Sequence, residues 1–373
     1  MPRRDLPKLS YHDLVRSFTM CLLAVVGVGE APSVGLLWAE KPAQPQGSVR
    51  YAIAVHGGAG SAPDRLSPEK RDAYRTALAT ALRRGRDLLA AGKSSLDVVE
   101  TVVRYLEDDP QFNAGKGAVL NSRGSCELDA SIMDGRNLAG GAVAGVTRVK
   151  NPISLARLVM ERTRHVLLAG EGADQFAIQM EVPRVDPTYF LTPRAQRRFE
   201  RFQQQRRPET PLESPPKPAE TRQSSQVLLR RERDLGTVGC VALDRHGNLA
   251  AATSTGGLSN KKYGRIGDSP ILGAGTYAAN TTCAVSCTGT GEQFIRHAIA
   301  YSVSARVRLL GEDLATAVRT AIHDTLDRGD GGIIAVDHRG NIAIDFSTAG
   351  MARGWANAAG VWEVRVGRED GRP

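Results

Sequence analysis

The chain has 373 residues, 41% of them hydrophobic, which is enough for one large domain or two ordinary ones with a buried core. Its formal charge of +9 does not point to nucleic acid, because only 5% of residues are aromatic and no tract interleaves Arg or Lys with stacking side chains. Much of the basic excess lies between Arg194 and Arg233, in a Pro-, Gln- and Arg-rich stretch that reads as a solvated linker.

The N-terminus carries Arg3, Arg4, Lys8 and Arg16 ahead of an apolar run from Phe18 to Val28. That run is shorter than the about 20 residues needed to cross a bilayer and fits the apolar region of a signal peptide. Residues 1–49 therefore read as a signal peptide and tail, implying a periplasmic or secreted protein with no stable membrane span after processing. A cytoplasmic location stays open, because Leu37-Trp38-Ala39 is not a clean cleavage site.

Tyr51 to Val55 is a short apolar run that reads as a strand entering a tight loop, His56-Gly57-Gly58-Ala59-Gly60. From Ser67-Pro68 a helical period takes over, with Tyr74, Leu78, Leu82 and Leu88-Leu89 on one face, ending near Gly92. Ser95 is expected to cap a second helix carrying Leu96, Val99, Val102, Val103 and Leu106. Strands are predicted around Glu127 to Met133 and Asn137 to Val149, and a helix over Ile153 to Met160. Near Val185 the pattern dissolves, and 193–236 reads as a mobile, accessible linker between two parts, 50–192 and 237–373.

Structure is expected to resume at Thr237. Val238 to Leu243 and Leu249 to Thr253 form one hairpin pair, Ile333 to Val336 and Ile342 to Phe346 another, each joined by an Asp-, His- and Gly-containing turn. Helical periods over Gln293 to Leu309 and Glu312 to Leu326 lie between them. Strands and helices in blocks predict an α+β fold with sheets stacked between helical layers, not an alternating barrel.

The five cysteines include no C-x-x-C pair and the histidines no metal spacing, so a zinc site is not expected. On one strand, Cys283 and Cys287 would lie roughly 13 Å apart, too far to bridge, and they read as small buried residues.

The most informative tetrapeptide is Gly236-Thr237-Val238-Gly239, a threonine between linker and apolar strand. A threonine hydroxyl is a weak nucleophile unless a base lies within reach. Its own α-amino group, with a reference pKa of about 7.7 to 8.0, can serve once the residue becomes a new N-terminus. Gly236 lacks a Cβ, so Thr237 could bend back onto its carbonyl. Taken alone, the tetrapeptide favours the plainer reading that Thr237 merely begins a strand.

Other segments bear on that choice: YAIAVHGGAG at 51–60, LEDDPQFNAGKGAVL at 106–120, ELDASIMDG at 127–135, GTVGCVALDRHGNLAAATSTGG at 236–257, GRIGDSPILGAGTYA at 264–278 and SCTGTGEQFIR at 286–296. Jointly and in this order they resemble the plant-type asparaginases, or isoaspartyl peptidases, of the N-terminal-nucleophile hydrolase superfamily. The resemblance implies a four-layer αββα sandwich, autocleaved into two subunits between Gly236 and Thr237, with L-asparagine and β-aspartyl dipeptides as small-molecule substrates. It implies Thr237 as nucleophile, Thr255 as its hydrogen-bond partner, and Thr288 with Gly289 as oxyanion donors. Arg265 would grip the substrate α-carboxylate and Asp268 its α-ammonium, with Thr288, Gly289 and Gly291 lining the same pocket. Outside this context Arg265 and Asp268 would read as a surface ion pair.

The resemblance further implies no cofactor for catalysis, a structural Na+ held by backbone carbonyls of Leu106, Glu107, Phe112, Ala114 and Lys116, and a dimer of cleaved αβ units. His56 reads as a buried structural residue. The expected base is the Thr237 amine, with no enzyme carboxylate controlling the acid limb of the pH profile. Two other readings remain: a glycosylasparaginase-like hydrolase, and a non-cleaving amino-acid-binding protein of the same fold.

Overall fold

Ser67 has the extended backbone of an N-cap and its hydroxyl accepts from Lys70 N, so with Pro68 in the first turn it starts α1, Pro68–Ala90. Such a cap is worth about 1 kcal/mol. The computed structural model describes residues 50–60, 66–204 and 236–367; the signal-peptide segment, Cys21 and residues 205–235 of the expected linker lie outside these. The second helix, α2 (Ser95–Asp108), is capped by Ser94 and not by Ser95. Ser95 instead donates its backbone N–H to Asp244 Oδ2 at 2.9 Å, tying the helix to a hairpin turn 149 residues away.

Twelve strands form two sheets among the described residues. The larger contains β1 (Ala52–Gly60), β2 (Leu128–Asp134), β3 (Ala139–Val146), β4 (Leu167–Ala169), β5 (Val238–Leu243), β6 (Leu249–Thr255), β11 (Gly350–Asn357) and β12 (Trp362–Val366), in the order β12-β11-β1-β5-β6-β2-β3-β4. The smaller contains β7 (Thr276–Ala278), β8 (Cys283–Gly289), β9 (Gly331–Asp337) and β10 (Ile342–Phe346), in the order β10-β9-β8-β7. Every pairing is antiparallel except β3 with β4.

The buried apolar residues fall into three clusters that explain this stacking. Leu78, Leu82, Val99 and Val103 of α1 and α2, with Ile153 and Leu155 of α3 (Pro152–Arg162), pack against one face of the larger sheet. Ala54, Val241, Ala251, Ile334, Val336 and Met351 meet between the sheets. Val285, Cys287 and Ile333 cover the outer face of the smaller sheet with Val303, Val318 and Ile322. The interior between the sheets is rich in alanine, which lets their backbones approach closely.

Three local expectations change. Residues 56–60 are not a loop: β1 continues to Gly60 through a bulge between His56 and Gly58, keeping its pairing to β11. The reading of 193–236 as linker missed α5 (Pro193–Gln204), where Arg194 donates to the Gln111 carbonyl and Phe199 lies over Gly124. The single helical stretch expected over 293–309 is broken into α6 (Gly291–Arg296) and α7 (Ile299–Ala305) by Ala298, which sits at φ 45°. A π-helical turn, Arg306–Leu310, follows, then α8, Leu314–Thr320. A second π-helical turn, Ala321–Thr325, continues α8, and the remaining described α-helix is α4, Gly170–Gln179.

Candidate active site

The paired ends of β5 and β6 bring Thr237 and Thr255 together, since Val238 stands opposite Ser254 in the antiparallel register. Thr237 Oγ1 donates to Thr255 Oγ1 at 3.1 Å, and Gly257 N donates to the same oxygen at 3.0 Å. Both threonines are buried. Across the interface, the end of β8 supplies Thr288, whose Oγ1 accepts from Ala59 N at 3.2 Å and so keeps its own proton for another acceptor. Gly289, beside it, admits no side chain: a Cβ there would lie 2.1 Å from the Asp330 carbonyl oxygen.

Gly58 explains the bulge in β1. Its φ of +107° is glycine territory, and a Cβ would fall 2.0 Å from Gly236 N. The backbone just before Thr237 therefore lies directly on β1.

The 264–268 loop places Arg265 and Asp268 in one pocket with Gly291. A Cβ on Gly291 would lie 2.8 Å from Arg265 Nη2 and 2.9 Å from Asp268 Oδ1, so the glycine leaves open the space between the two charges. Asp268 Oδ2 is buried without a hydrogen-bond partner. Burial pushes the Asp268 carboxyl up to about 7, against the Arg265 guanidinium, which favours its ionised form. The carboxyl of Asp268 is thus held near neutrality, in the range expected for the Thr237 amine. Arg265 is bound bidentately by Glu292, at 2.8 and 3.0 Å, a partner the sequence did not suggest. The only signal for it was its place in the SCTGTGEQFIR segment.

Beside this loop Lys261 is buried, donates to the Glu127 carbonyl at 2.8 Å and lies 3.9 Å from Asp129 Oδ2. Asn113 holds the end of β6, donating to the Gly257 carbonyl at 2.8 Å while accepting from Val119 N at 3.0 Å. Neither was singled out from sequence, since a lone Lys or Asn carries no periodic signature.

In the 106–117 loop, carbonyls crowd two glycines. A Cβ at Gly115 would lie 2.4 Å from Glu107 O, and one at Gly117 would lie 2.0 Å from Phe112 O and 2.7 Å from Pro110 O. Carbonyls of Glu107, Pro110 and Phe112 thus lie close against this turn. The Ala114 carbonyl accepts from Gly117 N at 3.1 Å, and the Lys116 ammonium is turned away, 5.1 Å from the centre of the Tyr189 ring. The Glu107 side chain does not face the loop: Oε1 accepts from Ser254 Oγ at 2.6 Å and Ile153 N at 3.1 Å, and burial pushes its carboxyl up to about 8. Among the described residues no group of three or more His, Cys, Asp or Glu could hold a metal, and no helix is long and apolar enough to cross a membrane. Cys126, Cys240, Cys283 and Cys287 are buried free thiols.

Comparison with known proteins follows the same geography. Residues 49–366 match the family described as Asparaginase. The isoaspartyl peptidase of Salmonella typhimurium is 47% identical over 324 residues, covering 86% of this chain and 99% of that protein. The isoaspartyl peptidase of Escherichia coli is 46% identical over 325 residues, covering 86% and 98%. The human isoaspartyl peptidase/L-asparaginase is 41% identical over 312 residues, covering 82% and 92%.

Proposed function

Because the chain belongs to the asparaginase family, we propose that Thr237 is the nucleophile, freed when the chain cuts itself after Gly236. The protein is an isoaspartyl peptidase and L-asparaginase, hydrolysing β-aspartyl peptides and L-asparagine to release L-aspartate. The observation that carries the assignment of Thr237 is its hydroxyl, hydrogen-bonded to Thr255 at 3.1 Å where the paired strands end.

In self-cleavage Thr237 Oγ1 attacks the Gly236 carbonyl carbon, the peptide C–N bond breaks, and water hydrolyses the resulting ester. The freed α-amine then takes the hydroxyl proton in turnover. The same oxygen attacks the side-chain amide carbon of the substrate, ammonia or an amino acid leaves, and water releases aspartate. Thr288 Oγ1 and the Gly289 N–H stabilise the oxyanion, a pair of donors each worth about 3 to 4 kcal/mol in such sites. Arg265 takes the α-carboxylate, displacing Glu292, and the unpartnered Asp268 Oδ2 takes the α-ammonium beside Gly291.

The layering of helices, two sheets and helices is read as the αββα sandwich of N-terminal-nucleophile hydrolases. Carbonyls of Leu106, Glu107, Phe112, Ala114 and Lys116 would hold a sodium ion that stiffens the loop packed beneath Ser254 and Thr255. We further read the active unit as a dimer of cleaved αβ pairs, exported by its N-terminal segment.

N-terminal sequencing and mass spectrometry of purified protein, with an assay on a β-aspartyl dipeptide, test the proposal. Two fragments, one beginning at Thr237, together with turnover are expected. An intact, inactive chain would make it a binding protein.

A further inference from the structure

Behind the nucleophile, between the sheets, runs a file of polar side chains that the reaction above does not use. His56 Nδ1 lies 3.0 Å from the Thr237 carbonyl oxygen, and Nε2 lies 2.9 Å from Ser286 Oγ. Ser286 Oγ is 2.7 Å from Thr253 Oγ1, which is 2.6 Å from Thr276 Oγ1. Thr276 Oγ1 is 2.8 Å from Ser131 Oγ, and Ser131 Oγ is 2.6 Å from the carbonyl oxygen of Ser269, the neighbour of Asp268. The five side chains come from β1, β8, β6, β7 and β2, and none is exposed by more than 0%.

Both ends of the file are carbonyl oxygens, which only accept. Six contacts therefore need six protons, whereas four hydroxyls supply one each and a neutral imidazole one more, five in all. Burial pushes His56 down to about 3, opposed only by its bond to the Thr237 carbonyl, so the ring is neutral at ordinary pH. No charged side chain contributes to that shift. Thr253 also lies 3.3 Å from the Gly275 carbonyl, another acceptor, which does nothing to fill the deficit.

One contact in the file must lack a proton, and mobility decides which. The ring cannot turn away: a Cβ on Gly239 would lie 2.4 Å from Nε2, so the imidazole is pressed against the β5 backbone. Hydroxyls rotate, so the deficit settles among them. Nδ1 then carries the hydrogen and donates to Thr237, while Nε2 accepts from Ser286.

We propose that His56 is a positioning residue for the nucleophile, fixed as its Nδ1–H tautomer by the Ser286 hydroxyl. This rests on the reading of Thr237 as nucleophile. Once the chain is cut, Thr237 is a chain end that precedes the first β5 pairing, and the bond to His56 fixes its peptide plane. Loss of that bond lets Oγ1 and the α-amine drift, and misplacement by about 1 Å costs on the order of 10²-fold in rate. Substrate affinity, set by Arg265 and Asp268, should not change.

The test compares His56→Asn, whose side-chain amide reaches the Nδ1 position, with His56→Gln, whose amide reaches only the Nε2 position. With rates normalised to chains beginning at Thr237, the Asn variant should keep kcat within about tenfold of wild type. The Gln variant should lose about 10²-fold. KM should move by less than about twofold in both, a split that a general loss of structure would not give. In parallel, ¹⁵N NMR of histidine-labelled wild type should report a neutral His56 protonated on Nδ1 near pH 7. An Nε2–H tautomer or an imidazolium would overturn the proposal, as would a Gln variant matching or exceeding the Asn variant. Failure of wild type to cleave or turn over would instead refute Thr237 as nucleophile, and the NMR tautomer would still decide the role of His56.

Discussion

The threonine cluster and the charged loop beside it are built in opposite ways. Thr237, Thr255 and Thr288 sit at the ends of strands from two sheets, buried and held by backbone register. Arg265 and Asp268 sit in an irregular loop, one in an ion pair with Glu292 and the other with a buried oxygen that has no partner. The groups that must stay fixed come from the rigid framework. On the proposed reading, those that meet the charges of the substrate come from the loop.

Substitutions can break that contrast. The largest effect is expected for Thr237→Ala, which removes the attacking oxygen for maturation and turnover alike. The chain should stay whole by mass spectrometry, and activity on β-aspartyl dipeptides should fall by about 10⁴-fold or more. Efficient scission of purified variant without added protease would separate cleavage from Thr237.

Arg265→Ala should act on one side only. Fragments beginning at Thr237 should still form, because the precursor's own peptide has no α-carboxylate to grip. Steady-state kinetics should give a loss in kcat/KM of roughly 10²-fold, the size expected when one partner of a hydrogen-bonded charge pair is removed. Normal hydrolysis by the processed variant would move the carboxylate site elsewhere.

Asp268 gives a pH signature that sharpens the comparison. Held at about 7 by burial, it is protonated below that pH and no longer offers a negative charge to an ammonium. The acid limb of kcat/KM should therefore be steeper for L-asparagine than for its analogue without the α-amino group, by up to about tenfold per pH unit below 7. Parallel profiles would leave the Thr237 amine in sole control. The same raised pKa means the folded protein holds a proton that the unfolded chain has lost between its ordinary value of 3.8 and about 7. Its contribution to stability is thus fully present at low pH and is lost as pH rises through 7.

The smallest effect belongs to Glu292→Gln. This ion pair is partly solvated, so its removal should change the free energy of substrate binding by about 0 to 1 kcal/mol. KM for L-asparagine should drop by a few-fold at most, with kcat unchanged.

The same contrast governs what could be read from sequence. Strands with apolar runs and hairpin turns, such as β5 with β6 and β9 with β10, were legible because their pattern is local. The strands β11 and β12, which complete the larger sheet, were not anticipated, and neither was α5, whose apolar contacts are few among charged neighbours. Thr237, Thr255, Arg265 and Asp268 stood out through motifs in family order. Glu292, Asn113, Lys261 and the hydroxyl file did not, because each depends on residues that meet only across the fold.

One consequence of the sheet order concerns reversibility. In the larger sheet β1 lies between β11 and β5, and β2 pairs with β6, so three of its strand pairings join a strand from before Gly236 to one from after it. A chain cut there keeps its shape, because neither piece can leave without tearing ladders from its neighbour. Unfolding is another matter. An intact precursor can regain the sheet as a single molecule, whereas two separate pieces must first find each other. Recovery after denaturant should be independent of protein concentration for uncut chains and rise with it for cut ones. Under the proposed scission at Gly236, regaining the fold would thus become a meeting of two molecules where it had been the folding of one.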